Sequence, residues 1–337
     1  MTNHNDRELQ HYPAPGLRPS TCDFIQRLAL ASLLALFIAG CEAPLVLDAV
    51  EQERAKTILR FDMYQAVAHR GDRAVVVGST GSALVSDDSG ANWERFDLPG
   101  APSLIDVSPC PSGDFYALDT QHQIWRLPAG SSEWTVSTLD TAESTLSIHC
   151  APDNTLWVTA SFSMLFSSRD NAGSWQEFTL DEDLQFTKVQ FLDDQNGFAV
   201  GEFGTVLITT DGGTNWERGG DIPNEFYPMA SHFRDQQVGW VGGLGGAIWA
   251  TTDGGQTWER QQSSSKSPVY GIKASDTQVF AVGGSGTLLE LTNGEWQTLE
   301  GAPPVLSYLR GLDILADRSL LVVGGAGTLA TITPPQS

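Results

Sequence analysis

The sequence predicts an all-β protein: a seven-bladed β-propeller with four-stranded blades, in which an N-terminal strand completes the last blade. Three observations predict it. A Gly-x-x-Gly motif recurs, with Gly201, Gly242, Gly283 and Gly324 spaced 41 residues apart and Gly78 standing three such steps before Gly201. Trp93, Trp134, Trp175, Trp216, Trp258 and Trp296 keep nearly the same spacing. Within each unit, short apolar or alternating runs are separated by Gly- and Asp-rich turns, and no long helical period follows the leader. Four short strands per repeat make the blade of a propeller, and a closed ring of blades leaves few exposed strand edges.

In chain order, residues 1–40 read as a lipoprotein signal peptide. Residues 28–40 are uncharged and apolar, and Arg18 and Arg27 precede them. As a helix that stretch reaches about 20 Å, short of the roughly 30 Å hydrocarbon core, so a leader is expected rather than a membrane span. The run Ile38-Ala39-Gly40-Cys41 resembles the bacterial lipobox, which implies cleavage before Cys41 and lipidation of that residue. Several acyl chains on one residue anchor stably. Bacterial sorting commonly keeps Asp at the next position in the inner membrane, so Glu42 points to the periplasmic face of the outer membrane. Residues 41–56 are then a tether and residues 57–333 the propeller.

The fourth unit shows the strand plan best. Residues 186–192 alternate as an inner strand, 196–200 form a short apolar second strand, and 205–209 form a third. Asp211-Gly212-Gly213 makes the turn and Trp216 opens the fourth strand. The second and third units have lost their glycines but keep apolar runs at 115–118 and 156–159. The last unit stops at Pro334-Pro335, one strand short. Residues 57–61, with Thr57, Ile58, Leu59 and Phe61, are expected to supply its outer strand.

With Cys22 in the leader and Cys41 lipidated, Cys110 and Cys150 remain. In an oxidising compartment they can pair, and the alternative is two separate small buried residues. The repeat spacing places Cys110 level with position 151, next to Cys150, on neighbouring blades. A disulfide is expected there, since the inner ends of adjacent blades converge.

The turns between third and fourth strands share a motif. It reads Ser86-x-Asp88-x-Gly90-x-Asn92-Trp93, Thr209-x-Asp211-x-Gly213-x-Asn215-Trp216 and Thr251-x-Asp253-x-Gly255-x-Thr257-Trp258, with a weaker copy around Asp170. Each Asp can accept N–H bonds across its own turn, so these carboxylates are structural. The motif resembles the Asp-box, or bacterial neuraminidase repeat, superfamily. The stretch 197–216 and its copy at 239–258 resemble the photosystem II stability/assembly factor family. That resemblance implies a propeller that helps assemble a membrane complex, with basic residues on the inner strands. Here those strands carry Lys188, Lys273, Arg310 and His69. Tyr64 and Tyr270, on or near the inner strands, join Lys188, Arg310 and His69 as candidate channel or partner contacts.

Composition excludes other classes. Nineteen Lys plus Arg face 41 Asp plus Glu, a formal charge of −22, which repels phosphate backbones and argues against a nucleic-acid partner. His69, His122, His149 and His232 lack metal-ligand spacing, so neither metal nor cofactor is expected. Sialidases share the Asp-box but resemble one another in an arginine triad, of which the inner strands here offer Arg310 alone. The expected function is a non-catalytic, lipid-anchored scaffold or stability factor for an envelope membrane-protein complex. The alternative is a carbohydrate-binding or glycosidase-type Asp-box propeller.

Overall fold

In a computed structural model, residues 47–302 and 304–335 are described. The chain divides into two compact units, one ending at Arg54 and the other beginning at Ala55. The described part of the first contains a short helix, Asp48–Arg54, with Asp48 and Glu51 in its first turn and Arg54 in its last, each complementing the helix dipole. No described helix is long and apolar enough to cross a membrane. The expected leader and the expected lipidation residue, Cys41, lie outside the described residues.

The second unit is a succession of antiparallel meanders. The first runs Tyr64–Arg70, Arg73–Gly78, Ser82–Ser86 and Glu94–Asp97, each strand paired with the next. The same order repeats in the following sheets. The fifth and sixth are joined by a short parallel pairing between their outer strands, Glu259–Ser263 and Glu295–Thr298. The second strand of each sheet, such as Phe115–Asp119 or Gly197–Gly201, is buried at every position except the half-buried Arg73 that opens the first. A strand covered on both faces has no polar side to show, which is why these segments read as continuous apolar runs. Outer strands such as Glu94–Asp97 are largely exposed.

The core lies between sheets. Val75 and Val77 of the first pack with Phe115 and Trp125 of the second. Trp157 of the third packs with Val189 and Leu207 of the fourth. The series ends where Leu321 and Val323 of the last sheet pack on Val76 and Leu84 of the first. The core is therefore a ring of interfaces around an axis, the arrangement of an all-β propeller.

The glycine motif is steric in origin. Gly201 presents its Cα to the Gln185 carbonyl, 2.5 Å from where a Cβ would sit, and Gly204 has a φ of +76° with the Ile222 carbonyl against it. A side chain fits at neither position. In the fifth sheet these places fall to Gly243 and Gly246, one residue later than the spacing indicated.

The last sheet departs from expectation. It has three strands, Leu309–Ile314, Leu320–Gly324 and Leu329–Ile332, and residues 57–61 do not form a fourth. The cause is Asp62. Its N–H donates to Leu59 O at 2.9 Å and its carboxylate accepts the Leu59 N–H at 2.8 Å, folding residues 59–62 into a turn. The segment still docks on the last sheet, because Asp62 O accepts the Gly327 N–H at 2.8 Å, and Ile58 packs beside Leu329. Pro102 O and Phe226 O accept the equivalent bonds from Gly81 and Gly204. Residues 59–62 thus hold the place of the linker that elsewhere follows an outer strand.

Candidate binding site in the channel

The inner strands are Tyr64–Arg70, Leu104–Pro109, Thr145–Cys150, Phe186–Phe191, Pro228–Phe233, Val269–Ala274 and Leu309–Ile314. Each carries a register shift at its second residue: the pairing passes over Gln65, Ile105, Leu146, Thr187, Met229, Tyr270 and Arg310. A bulge frees a residue from the ladder and re-aims its side chain. All of these residues line one cavity of about 400 Å³. They divide by chemistry. Ile105, Leu146 and Met229 are apolar, and Thr187 lies between them in chain order. Tyr270, Arg310 and Gln65 belong to the sixth, last and first sheets and form a polar arc.

Ion pairs occupy the neighbouring inner-strand positions. Lys188 Nζ lies 2.9 Å from Asp106 Oδ2, which also accepts the Ile148 N–H at 3.3 Å. Lys273 Nζ lies 3.5 Å from Asp313 Oδ1, while Asp313 Oδ2 accepts the His69 N–H at 2.9 Å and meets His69 Nδ1 at 2.8 Å. Burial alone would raise the Asp313 carboxyl, but the Lys273 charge and the bonds from His69 outweigh it and hold it at about 2. Burial, reinforced by the Lys273 charge, depresses His149 to about 4 and His232 to about 3. Both rings are neutral at pH 7, and His149 Nε2 accepts the Phe191 N–H at 3.0 Å. Arg310 is the exposed exception. Among the described residues no carboxylate pairs with it, and its guanidinium lies 5.7 Å from the centre of the Tyr270 ring. Gln65 donates to the Tyr308 hydroxyl at 3.2 Å alongside.

Of the residues singled out in the sequence, Lys188, Tyr270 and Arg310 line the cavity. His69 stands outside its lining, bonded to Asp313. Tyr64 does not reach the channel. It is wholly buried, its hydroxyl donating to Asp62 Oδ2 at 2.8 Å, because as the residue before the bulge it remains in the ladder and faces the core. Asp106, Asp313 and Gln65 were missed. Stacking the inner strands by position brings them into columns with Lys188, Lys273 and Arg310, a signal that single strands do not show.

The Asp-box carboxylates lie outside the cavity and are consumed by their own turns. Asp88 accepts the Ser86 hydroxyl at 2.8 Å, the Asn92 N–H at 2.8 Å and the Asn92 amide at 2.7 Å. Hydrogen bonds of this kind, side-chain ones first, pull Asp88, Asp170 and Asp253 down to about 2, and backbone and side-chain bonds from Asn215 lower Asp211. Cys110 and Cys150 are joined in a disulfide between the second and third sheets, with their Cα atoms 5.2 Å apart. Among the described residues no group of His, Cys, Asp and Glu side chains is placed to hold a metal ion.

Residues 127–223 match the family model described as photosynthesis system II assembly factor YCF48. The chain is similar to the Ycf48 family. It is 25% identical over 168 residues to the photosystem II assembly protein Ycf48 of Thermosynechococcus vestitus, covering 46% of this chain and 47% of that one. It is 34% identical over 168 residues to the photosystem II assembly lipoprotein Ycf48 of a Synechococcus species, covering 48% and 50%. The chain thus spans about half the length of these curated relatives. Among solved structures it resembles YCF48 bound to D1 peptide, with a TM-score of 0.68 and 17% identity over 82% of this chain and 96% of that one. YCF48 from Cyanidioschyzon merolae gives 0.65 and 15% over 80% and 95%, and a streptogramin B lyase 0.69 and 12% over 83% and 95%. Identities this low speak for the fold alone, which is the all-β propeller.

Proposed function

We propose that this protein is a non-catalytic, seven-bladed propeller that docks a segment of a membrane protein at its channel mouth. In doing so it acts as an assembly or stability factor for an envelope complex. The observation that carries the reading is the ring of bulged inner-strand residues aimed into one cavity. A Ycf48 structure described as bound to D1 peptide shares this fold. The ion pairs of Asp106 with Lys188 and of Asp313 with Lys273 and His69 also support it, since carboxylates so held are poorly placed for acid–base work.

In this reading Cys41 carries the lipid, and Glu42 directs the protein to the periplasmic face of the outer membrane. The relatives named as lipoproteins and the Cys110–Cys150 disulfide, a bond of oxidising compartments, favour export. The N-terminal segment closes the ring by docking on the last sheet near Gly327.

A photo-crosslinking residue in place of Met229 tests docking in intact cells. Capture of an integral membrane protein, absent when the crosslinker replaces Arg260 on an outer strand, is the expected result. Crosslinks to nothing, or equally from both positions, would overturn the reading.

A further inference from the structure

The charges that line the channel are balanced differently from those of the whole chain. The chain carries −22, yet Lys188 and Lys273 are matched by Asp106 and Asp313, His149 and His232 are neutral at pH 7, and Arg310 is left with no carboxylate among the described residues. Among the charged residues that line the cavity, Arg310 therefore stands without an ion-pair partner, while the Glu202 charge acts on Tyr227 elsewhere in the lining. The Arg310 charge sits on a bulge residue, beside the Tyr270 ring and the Gln65–Tyr308 pair. The Tyr308 hydroxyl accepts from Gln65, so its own proton is free to donate. The bulge residues of the second, third and fifth sheets, Ile105, Leu146 and Met229, offer aliphatic surface on the same cavity.

We infer that the mouth recognises an extended peptide segment in which an acidic side chain and an aliphatic side chain stand two residues apart. Along an extended chain, residues i and i+2 share one face and lie about 7 Å apart, so one segment presents both groups to one ring. The planar guanidinium of Arg310 takes the carboxylate through paired N–H bonds, with the Tyr308 hydroxyl as a further donor. The aliphatic side chain settles on Leu146 and Met229. This assignment rests on the docking reading above and names the chemistry of the docked segment.

The test uses the folded protein and three peptides: acetyl-Gly-Glu-Gly-Leu-Gly-amide, the same peptide with Gln for Glu, and the Gln peptide with a free C-terminal carboxylate. Titration calorimetry is expected to show the Glu amide binding at least about tenfold tighter than the Gln amide, as a charge-assisted bond requires. Arg310→Gln should bring the two within about twofold of each other, and Arg310→Lys should retain part of the difference. Arg260→Gln, on the outer strand, should change neither. Equal affinity of Glu and Gln peptides, no measurable binding by either, or a free terminus that substitutes fully for Glu would overturn the assignment. In any of those cases a membrane-protein crosslink at Met229 would leave the docking reading standing, whereas its absence would remove both.

Discussion

Asp62 and Arg95 form a bidentate pair, Nη1 to Oδ2 at 2.7 Å and Nη2 to Oδ1 at 3.1 Å, with the Asp62 side chain 1% exposed. The pair fastens the start of the propeller to the outer strand of its first sheet. The same carboxylate holds the Leu59 N–H and the Tyr64 hydroxyl, and the Asp62 carbonyl holds Gly327 of the last sheet.

Asp62→Ala leaves an N–H and a phenol without their acceptor in a buried place and reduces the Arg95 guanidinium to its bonds with Asp97 and Thr57. A loss of about 3–5 kcal/mol in unfolding free energy is expected from urea titration. A loss below about 1 kcal/mol would show that the joint is not structural.

Deleting residues 42–61 behind an intact signal removes Leu59 and Ile58 from the last sheet and is expected to lower the stability of the whole ring in one cooperative transition. A truncation that melts at the temperature of the full chain would rule out N-terminal closure.

Stability should fall with acid in two windows. His149 and His232, at about 4 and about 3 in the folded protein, lie below the ordinary histidine value of 6.5. The unfolded chain therefore binds more protons below pH 6.5, and stability present above that pH is lost on acidification, by up to about 1.4 kcal/mol per unit for each ring. Asp313, held at about 2 against 3.8, adds its loss only below pH 4. His149→Gln with His232→Gln should flatten the urea midpoint between pH 6.5 and 4.5. An unchanged slope would contradict burial of neutral imidazoles.

Mass spectrometry under non-reducing conditions should find no free thiol at Cys110 or Cys150. The sequence separation of 40 residues sets the loop that the disulfide closes, and Cys110→Ala with Cys150→Ala should cost about 3–4 kcal/mol on the loop-entropy estimate.

Cys41→Ser should move the protein from the detergent phase to the aqueous phase or leave it uncleaved. Unaltered partitioning of a chain with an unmodified residue 41 would refute lipid anchoring.

The strand plan was legible because it is local. Each second strand is buried on both faces, so Ala117 or Val158 must be apolar whatever its neighbours do, and Gly204 must be glycine because a carbonyl occupies the space of its Cβ. The Asp-box turns were legible for the same reason, since Asp88 finds its donors within four residues. Repetition amplified these requirements into a pattern that spans the chain.

The site was only half legible. Lys188 and Arg310 stand out as rare cations on inner strands, but nothing local says that Lys188 is spent on Asp106, 82 residues away, while Arg310 is left unpaired. Nor does local pattern separate Tyr64 from Tyr270. One stays in the ladder and is buried on Asp62, while the other is the bulged residue of its strand and faces the cavity. Sequence by itself determined the all-β repeat, its turns and the acidic surface, because each depends on neighbours a few residues away. Tertiary structure alone decided the channel, because its charges, bulges and disulfide meet only when strands about 40 residues apart converge on one axis.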